Sequence, residues 1–307
     1  MTIWTWVFVL LLAGLVGYLS VGVYAALTLT RVGDHPQYDN DPGTFGLAFE
    51  TVTFPARIDG LQIAAWFIPN PEGEKAVVMV HGRDASKQNA ISGKFPELAA
   101  GIHRMGFAVL MIDLRGHGES EGERYTFGVH ERWDLLGAVD FLAERGYPPE
   151  QIGLLGVSLG GAAVVGAADK EAGLGPLILD STFADLPALV GANWQKESGL
   201  PVFFLPGVYL MWRLLYGFDL QEVKPVDALK RMPARKVLIL HSRDDQTVEV
   251  GQAYQLKKAA TAAELVLFDG CEHAEIYRDE PGRYWEVVSE FVSSLEYEGG
   301  DQRKTIQ

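Results

Sequence analysis

The sequence predicts an α/β fold, with a mostly parallel eight-stranded sheet flanked by helices. Two observations carry that prediction. From residue 50 to 296, short apolar runs alternate with longer amphipathic stretches. Most of these runs, such as AVVMV, AVLMI and VLIL, are apolar without interruption, as strands buried on both faces require. A third observation places a candidate site on this frame: one run ends directly in a serine set between glycines.

The chain begins with an apolar stretch. No charged side chain occurs before Arg31, and residues 3–29 form an almost wholly apolar segment. As a helix at ~1.5 Å per residue this segment reaches about 40 Å, more than the ~30 Å hydrocarbon core of a bilayer. Trp4 and Trp6 near one end and Tyr24 near the other suit the two interfaces. Residues 1–31 are therefore expected to be a transmembrane anchor. The alternative is a cleaved signal peptide, since Val23-Tyr24-Ala25 has the small-residue pattern of a processing site. The missing basic n-region and the excess length speak against it. Arg31 is the only basic residue nearby, so orientation is left unassigned. Residues 32–48, with Asp34, Pro36, Asp39, Asp41, Pro42 and Gly43, read as a polar tether. On this reading a chain starting near Asp34 remains active in solution.

The expected strands are 50–54, 61–68, 76–80, 107–112, 152–155, 177–179, 237–240 and 264–268. The first two, joined at Asp59-Gly60, read as an antiparallel hairpin. Helices are expected over 95–105, 131–145, 159–168, 251–260 and 283–295. One segment breaks the alternation: residues 183–230 insert an apolar, aromatic region between two strands. An insertion this long reads either as a helical lid over a site or as a buried helix pair. The domain closes near residue 296, and 297–307 read as a polar tail.

Composition narrows the function classes. A 307-residue chain with 48% hydrophobic and 21% charged residues suits one large globular domain plus an appendage, and excludes disorder. A net charge of −14 without any basic run argues against nucleic acid as a partner. Cys271 is the single cysteine, so no intrachain disulfide forms, and no Cys/His spacing suggests a zinc site. Neither a metal nor a cofactor is expected.

The candidate chemistry centres on Gly156-Val157-Ser158-Leu159-Gly160-Gly161, between an apolar strand and a helix-prone stretch. A bare G-x-S-x-G is a weak signal in a glycine-rich chain; the flanking strand and helix make it specific. A serine hydroxyl needs a base, and the base an orienting acid. Both follow in the chain order Ser, Asp, His. The run VLIL leads to His241 and then to Asp244 and Asp245, and the last strand leads to His273. All lie at C-terminal strand ends, where open α/β sheets place their crevice.

These residues resemble the α/β-hydrolase superfamily, and within it the single-domain esterases and serine-aminopeptidase-like members with an N-terminal anchor. The resemblance spans about residues 50–296 and rests on His81-Gly82, the Asp113–Ser120 motif, the Ser158 turn, and the acid and His loops. It implies a triad of Ser158, Asp245 and His273. It also implies an oxyanion hole from the backbone N–H groups of Arg83 and Leu159. Family members carry H-G-x-x-D-x-x-V at the acid; here His241 is followed by Ser242, and the fifth position still falls on Asp245. Asp244 and Asp180 stay open as alternative acids. His81, His117 and His241 sit in motif positions that the resemblance treats as structural or substrate-proximal.

The expected reaction is hydrolysis of a carboxylic ester, hydrophobic or lipid-like in view of the insertion and the anchor, through an acyl-enzyme. An aminopeptidase or amidase on the same fold is the alternative, with Asp84, Glu119 and Glu121 as candidate amine holders by position. A non-catalytic binding protein is the reading from a different class.

Overall fold

The computed structural model describes residues 2–33, 36 and 38–300. Asp34 of the expected tether and residues 301–307 of the expected tail lie outside the described residues. Eight strands form one sheet: β1 (Glu50–Pro55), β2 (Gln62–Ile68), β3 (Ala76–Val80), β4 (Ala108–Ile112), β5 (Ile152–Val157), β6 (Leu177–Asp180), β7 (Val237–Ser242) and β8 (Ala263–Phe268). Their order is β1-β2-β4-β3-β5-β6-β7-β8. β1 pairs antiparallel with β2, and β2 with β4; every other pairing is parallel. The hairpin and the parallel remainder are those the apolar pattern predicts, and each boundary falls within a few residues of its expected place.

The period of two along each strand sorts side chains between two cores. Val78, Val80, Leu110 and Ile112 face one side, where α3 (Glu131–Glu144), α4 (Leu159–Lys170) and α8 (Val250–Ala259) pack. Met79, Val109 and Met111 face the other, against α2 (Phe95–Arg104), α9 (Ile276–Asp279) and α10 (Pro281–Gly300). Helix α10 runs past residue 296, into the stretch expected as tail. Because β4 and β5 are buried throughout, and β3 at all but Val77, their ends are held rigidly, which suits them to position a site.

Between β6 and β7 the insertion folds as α5 (Leu186–Ser198), a short 3-10 turn at Val202–Phe204, α6 (Leu205–Tyr216) and α7 (Pro225–Arg231). α5 and the segment leading through α6 meet at 118°. The N-terminal helix α1 (Ile3–Leu29) is long and apolar enough to cross a membrane. It also joins the domain. Gly22, Ala25 and Ala26 are buried, and an added Cβ at Gly22 would lie 3.1 Å from the Gly207 carbonyl oxygen. Two glycines facing each other let the α1 and α6 backbones approach closely.

Candidate active site

β5 ends at Val157 and α4 begins at Leu159, so Ser158 alone makes the turn. It does so at φ 52°, ψ −113°, a conformation that costs a non-glycine residue on the order of 1–3 kcal/mol. The surroundings hold it there. Its N–H donates to the Asp180 carbonyl at 2.8 Å, and its carbonyl accepts from Ala162 N at 3.2 Å. Gly160 passes so close to the Val80 and His81 carbonyls that a Cβ would collide with both. The glycine in this motif is thus required for closeness to β3.

The loop after β8 brings His273 to Ser158, with Nε2 2.9 Å from Oγ. On the far side of the ring, Nδ1 lies 2.6 Å from Asp245 Oδ2. With Nδ1–H donated to the carboxylate, Nε2 is left to accept from the hydroxyl. Asp245 is 3% exposed, and its other oxygen accepts from Thr247 N and Val248 N, each at 2.8 Å. Burial alone would raise this carboxyl; the His273 hydrogen bond and charge and the two backbone donors hold it below its ordinary value. Asp244 turns elsewhere, its Oδ2 accepting from Gly270 N at 2.7 Å.

The competing residues have other partners. His81 Nε2 accepts from Leu114 N at 3.0 Å, His117 Nδ1 lies 2.9 Å from Arg115 O, and His241 Nε2 lies 2.7 Å from Val248 O. Burial lowers the His241 pKa, and the ring lies 3.7 Å from Asp245 Oδ2, farther than His273. The Cys271 thiol is pushed up to about 11 by burial and holds no thiolate at neutral pH.

Asp180 is fully buried behind the site, and burial pushes its carboxyl up to about 6. Ser181 Oγ donates to it at 2.9 Å and accepts from Ala274 N at 3.2 Å, so it braces the loop that carries His273. A carboxyl raised from 3.8 to about 6 destabilises the fold when ionised. That penalty is complete above the folded value and fades as pH falls towards the unfolded one. Asp180→Asn is therefore expected to raise Tm at pH 8 by roughly 5 °C, with the two melting curves converging below pH ~4. A gap that stays constant with pH in calorimetry would contradict this.

The β3–α2 loop supplies the other wall. An added Cβ at Gly82 would sit 3.4 Å from Ser158 Cβ, so the Gly82-Arg83 backbone abuts the serine. Leu159 is the first residue of α4, where a backbone N–H has no acceptor within the helix. The β3–α2 loop is pinned by an ion pair that local sequence patterns do not signal. Lys87, 2% exposed, reaches fully buried Asp113 at 2.5 Å and Glu119 at 2.6 Å. The Asp113–Ser120 motif is thereby a brace, and Arg115 within it pairs with Asp134 at 2.6 Å.

Ser158, His273, Arg83 and Leu159 line a cavity of about 510 Å³. Its apolar walls come from Leu189, Val190 and Trp194 of α5, Trp212 of α6 and Leu29 of α1. Of the carboxylates proposed for an amine, Glu119 holds Lys87 and Glu121 accepts from Gln62 N at 2.9 Å; neither lines the cavity. Asp84 does, together with Glu197 and Glu275. Each has an arginine partner: Arg83 lies 3.4 Å from Asp84 and 3.3 Å from Glu197, and Arg278 lies 3.4 Å from Glu275.

The sequence profile of the alpha/beta hydrolase family matches residues 77–287, most of the chain. The protein belongs to that family. Among relatives of this alpha/beta hydrolase, the uncharacterised Bacillus subtilis protein YqkD is 27% identical over 77% of each chain. The monoglyceride lipase of Rattus norvegicus is 36% identical over 38% of this chain and 40% of its own. A Pyrococcus furiosus esterase superposes with a TM-score of 0.69 at 21% identity, covering 85% of this chain and 98% of the esterase. The family and fold make the chain a hydrolase.

Proposed function

We propose that this hydrolase is a serine esterase acting on hydrophobic or lipid-like carboxylic esters. Ser158 attacks the carbonyl, His273 takes its proton, and Asp245 holds the imidazole. The backbone N–H groups of Leu159 and Arg83 receive the oxyanion, and water then releases the acyl group. The observation that carries the reading is the unbroken relay, 2.9 Å from Ser158 to His273 and 2.6 Å from His273 to Asp245, at the floor of a cavity walled by apolar side chains. The monoglyceride lipase and the esterase among the similar proteins support the choice of an ester. The arginine partners of Asp84, Glu197 and Glu275 argue against an aminopeptidase, which needs a carboxylate left for the substrate amine.

α1 is read as a retained membrane anchor. The Val23-Tyr24-Ala25 pattern lies inside its docked half, where Ala25 and Ala26 are buried and the Ala26 carbonyl accepts from Trp212 Nε1 at 3.1 Å. Cleavage there would open this packing.

A panel of p-nitrophenyl esters of increasing chain length tests the substrate class. We expect kcat/KM to rise by about tenfold or more from acetate to octanoate, as added methylenes bury against α5 and α6. Activity confined to acetate would sink the lipid-like reading, and faster cleavage of aminoacyl anilides would favour the amidase.

A further inference from the structure

Large apolar side chains open to solvent gather on one limb of the insertion. Val202 and Phe203 are 61% and 62% exposed, and Leu210, Leu214 and Leu215 of α6 are 46%, 68% and 47% exposed. Single exposed apolar residues are ordinary, whereas a group on one helix and its leading turn marks a contact surface. α1 lies along this limb. The Tyr18 ring stacks on Phe203 and Phe204, with centroids 6.4 and 5.5 Å away. Its hydroxyl donates to Phe203 O and accepts from Gly207 N, both at 3.0 Å. Gly22 abuts Gly207 and Met211, and Ala26 meets Trp212. These contacts advance together along both helices, so α1 and α6 run parallel. Val202 and Phe203 therefore lie at the level where α1 leaves the domain.

Length then sets depth. Every residue from Ile3 to Gly17 is exposed. That stretch spans about 22 Å at ~1.5 Å per residue, short of a ~30 Å hydrocarbon core. A bilayer whose one interface holds Trp4 and Trp6 must reach about five residues past Gly17, to the neighbourhood of Gly22. At that depth α1 is already flanked by Val202, Phe203 and the first turn of α6.

We infer that this limb of the insertion is a membrane-seated surface, with the lipid bilayer as its occupant. Val202 and Phe203 lie within the leaflet beside α1, and Leu210, Leu214 and Leu215 lie towards its headgroups. Arg213, its side chain 71% exposed and 3.8 Å from Asp219, places its guanidinium in the headgroup zone. The same helix walls the ester cavity through Trp212. An acyl chain thus passes from the leaflet along α6 to Ser158 without crossing bulk water. The inference rests on α1 being a retained bilayer helix and deepens the proposed lipid-like specificity.

The test uses the full chain in vesicles of phosphatidylcholine and phosphatidylglycerol. Buried Cys271 is replaced by Ala, and single cysteines are introduced as Leu10→Cys, Phe203→Cys or Glu290→Cys. The last lies on α10, across the sheet from α6. Each carries an environment-sensitive fluorophore, read with spin-labelled lipids as quenchers. Quenching at positions 10 and 203 but not at 290 is expected. Quenching at 10 alone overturns the inference and leaves the anchor standing; quenching at neither overturns both. In the otherwise natural chain, Phe203→Asp is expected to leave p-nitrophenyl acetate hydrolysis unchanged. It should slow hydrolysis of a long-chain ester held in the vesicles by about tenfold. An equal effect on both substrates overturns the proposed route.

Discussion

Ser158→Ala is expected to lower kcat on a hydrophobic ester by roughly 10⁴- to 10⁶-fold and to abolish covalent labelling by a fluorophosphonate. The fold should survive the change. The strained turn is held by backbone hydrogen bonds to Asp180 and Ala162, which alanine keeps. Loss of labelling in a protein with unchanged Tm then isolates the nucleophile. Asp245→Asn should cost nearly as much, because an amide no longer fixes His273 with Nε2 free to accept. Asp244→Asn should change kcat by no more than a few-fold, since Asp244 holds Gly270 N and not the imidazole. If the two aspartates exchange these effects, the acid is misassigned. If Ser158→Ala is labelled as well as the natural protein, the serine mechanism fails altogether.

How far the site is legible in the sequence depends on how local its signal is. The strands announce themselves because a strand buried on both faces has no polar position to spare, as in Ala76–Val80 and Ala108–Ile112. Ser158 is legible for a related reason: it follows such a run directly, so its place at a C-terminal strand end is set by the chain itself, while His273 sits five residues past the end of the last strand. Choosing between Asp244 and Asp245 required a family resemblance. Neighbouring residues in a loop point in different directions, and only the fold decides which one meets His273. The Lys87–Asp113 pair leaves no local trace, because its members lie 26 residues apart on different loops and either alone reads as a solvated charge. The insertion is half legible. Its apolar character is plain, but lining a cavity with one face while exposing Phe203 and Leu214 with another is a property of the α5–α6 bend, which composition does not carry.

The contact between Gly22 and Gly207 joins the N-terminal helix to the insertion, far along the sequence, and it alters what removal of the N-terminus should do. Sequence alone makes α1 a detachable anchor, so that a chain starting near Asp34 behaves like the whole domain. The packing argues otherwise. Trp212 is 1% exposed and Val208 fully buried with α1 in place. α1 also accepts hydrogen bonds from Trp212 Nε1 at Ala26 O, 3.1 Å, and from Tyr125 Oη at Leu29 O, 2.6 Å. Baring the Trp212 side chain and its neighbours costs on the order of 4 kcal/mol. For a domain of this size, that corresponds to a fall in Tm of roughly 8–16 °C. Loss of Leu29 from the cavity wall should weaken binding of longer acyl chains as well. A second variant separates docking from membrane insertion: Leu10, Leu11, Leu12 and Leu15, all in the exposed half of α1, are changed to glutamine. It should leave the membrane fraction yet keep its Tm, because none of the four side chains packs on the domain. If the chain starting near Asp34 melts with the full-length protein and keeps its chain-length preference, α1 is only an anchor. If it melts early while the glutamine variant does not, the helix is a structural part of the lid. Processing after Ala25 would remove the Tyr18 and Gly22 contacts but keep the acceptors at Ala26 and Leu29, so it would carry only part of that penalty.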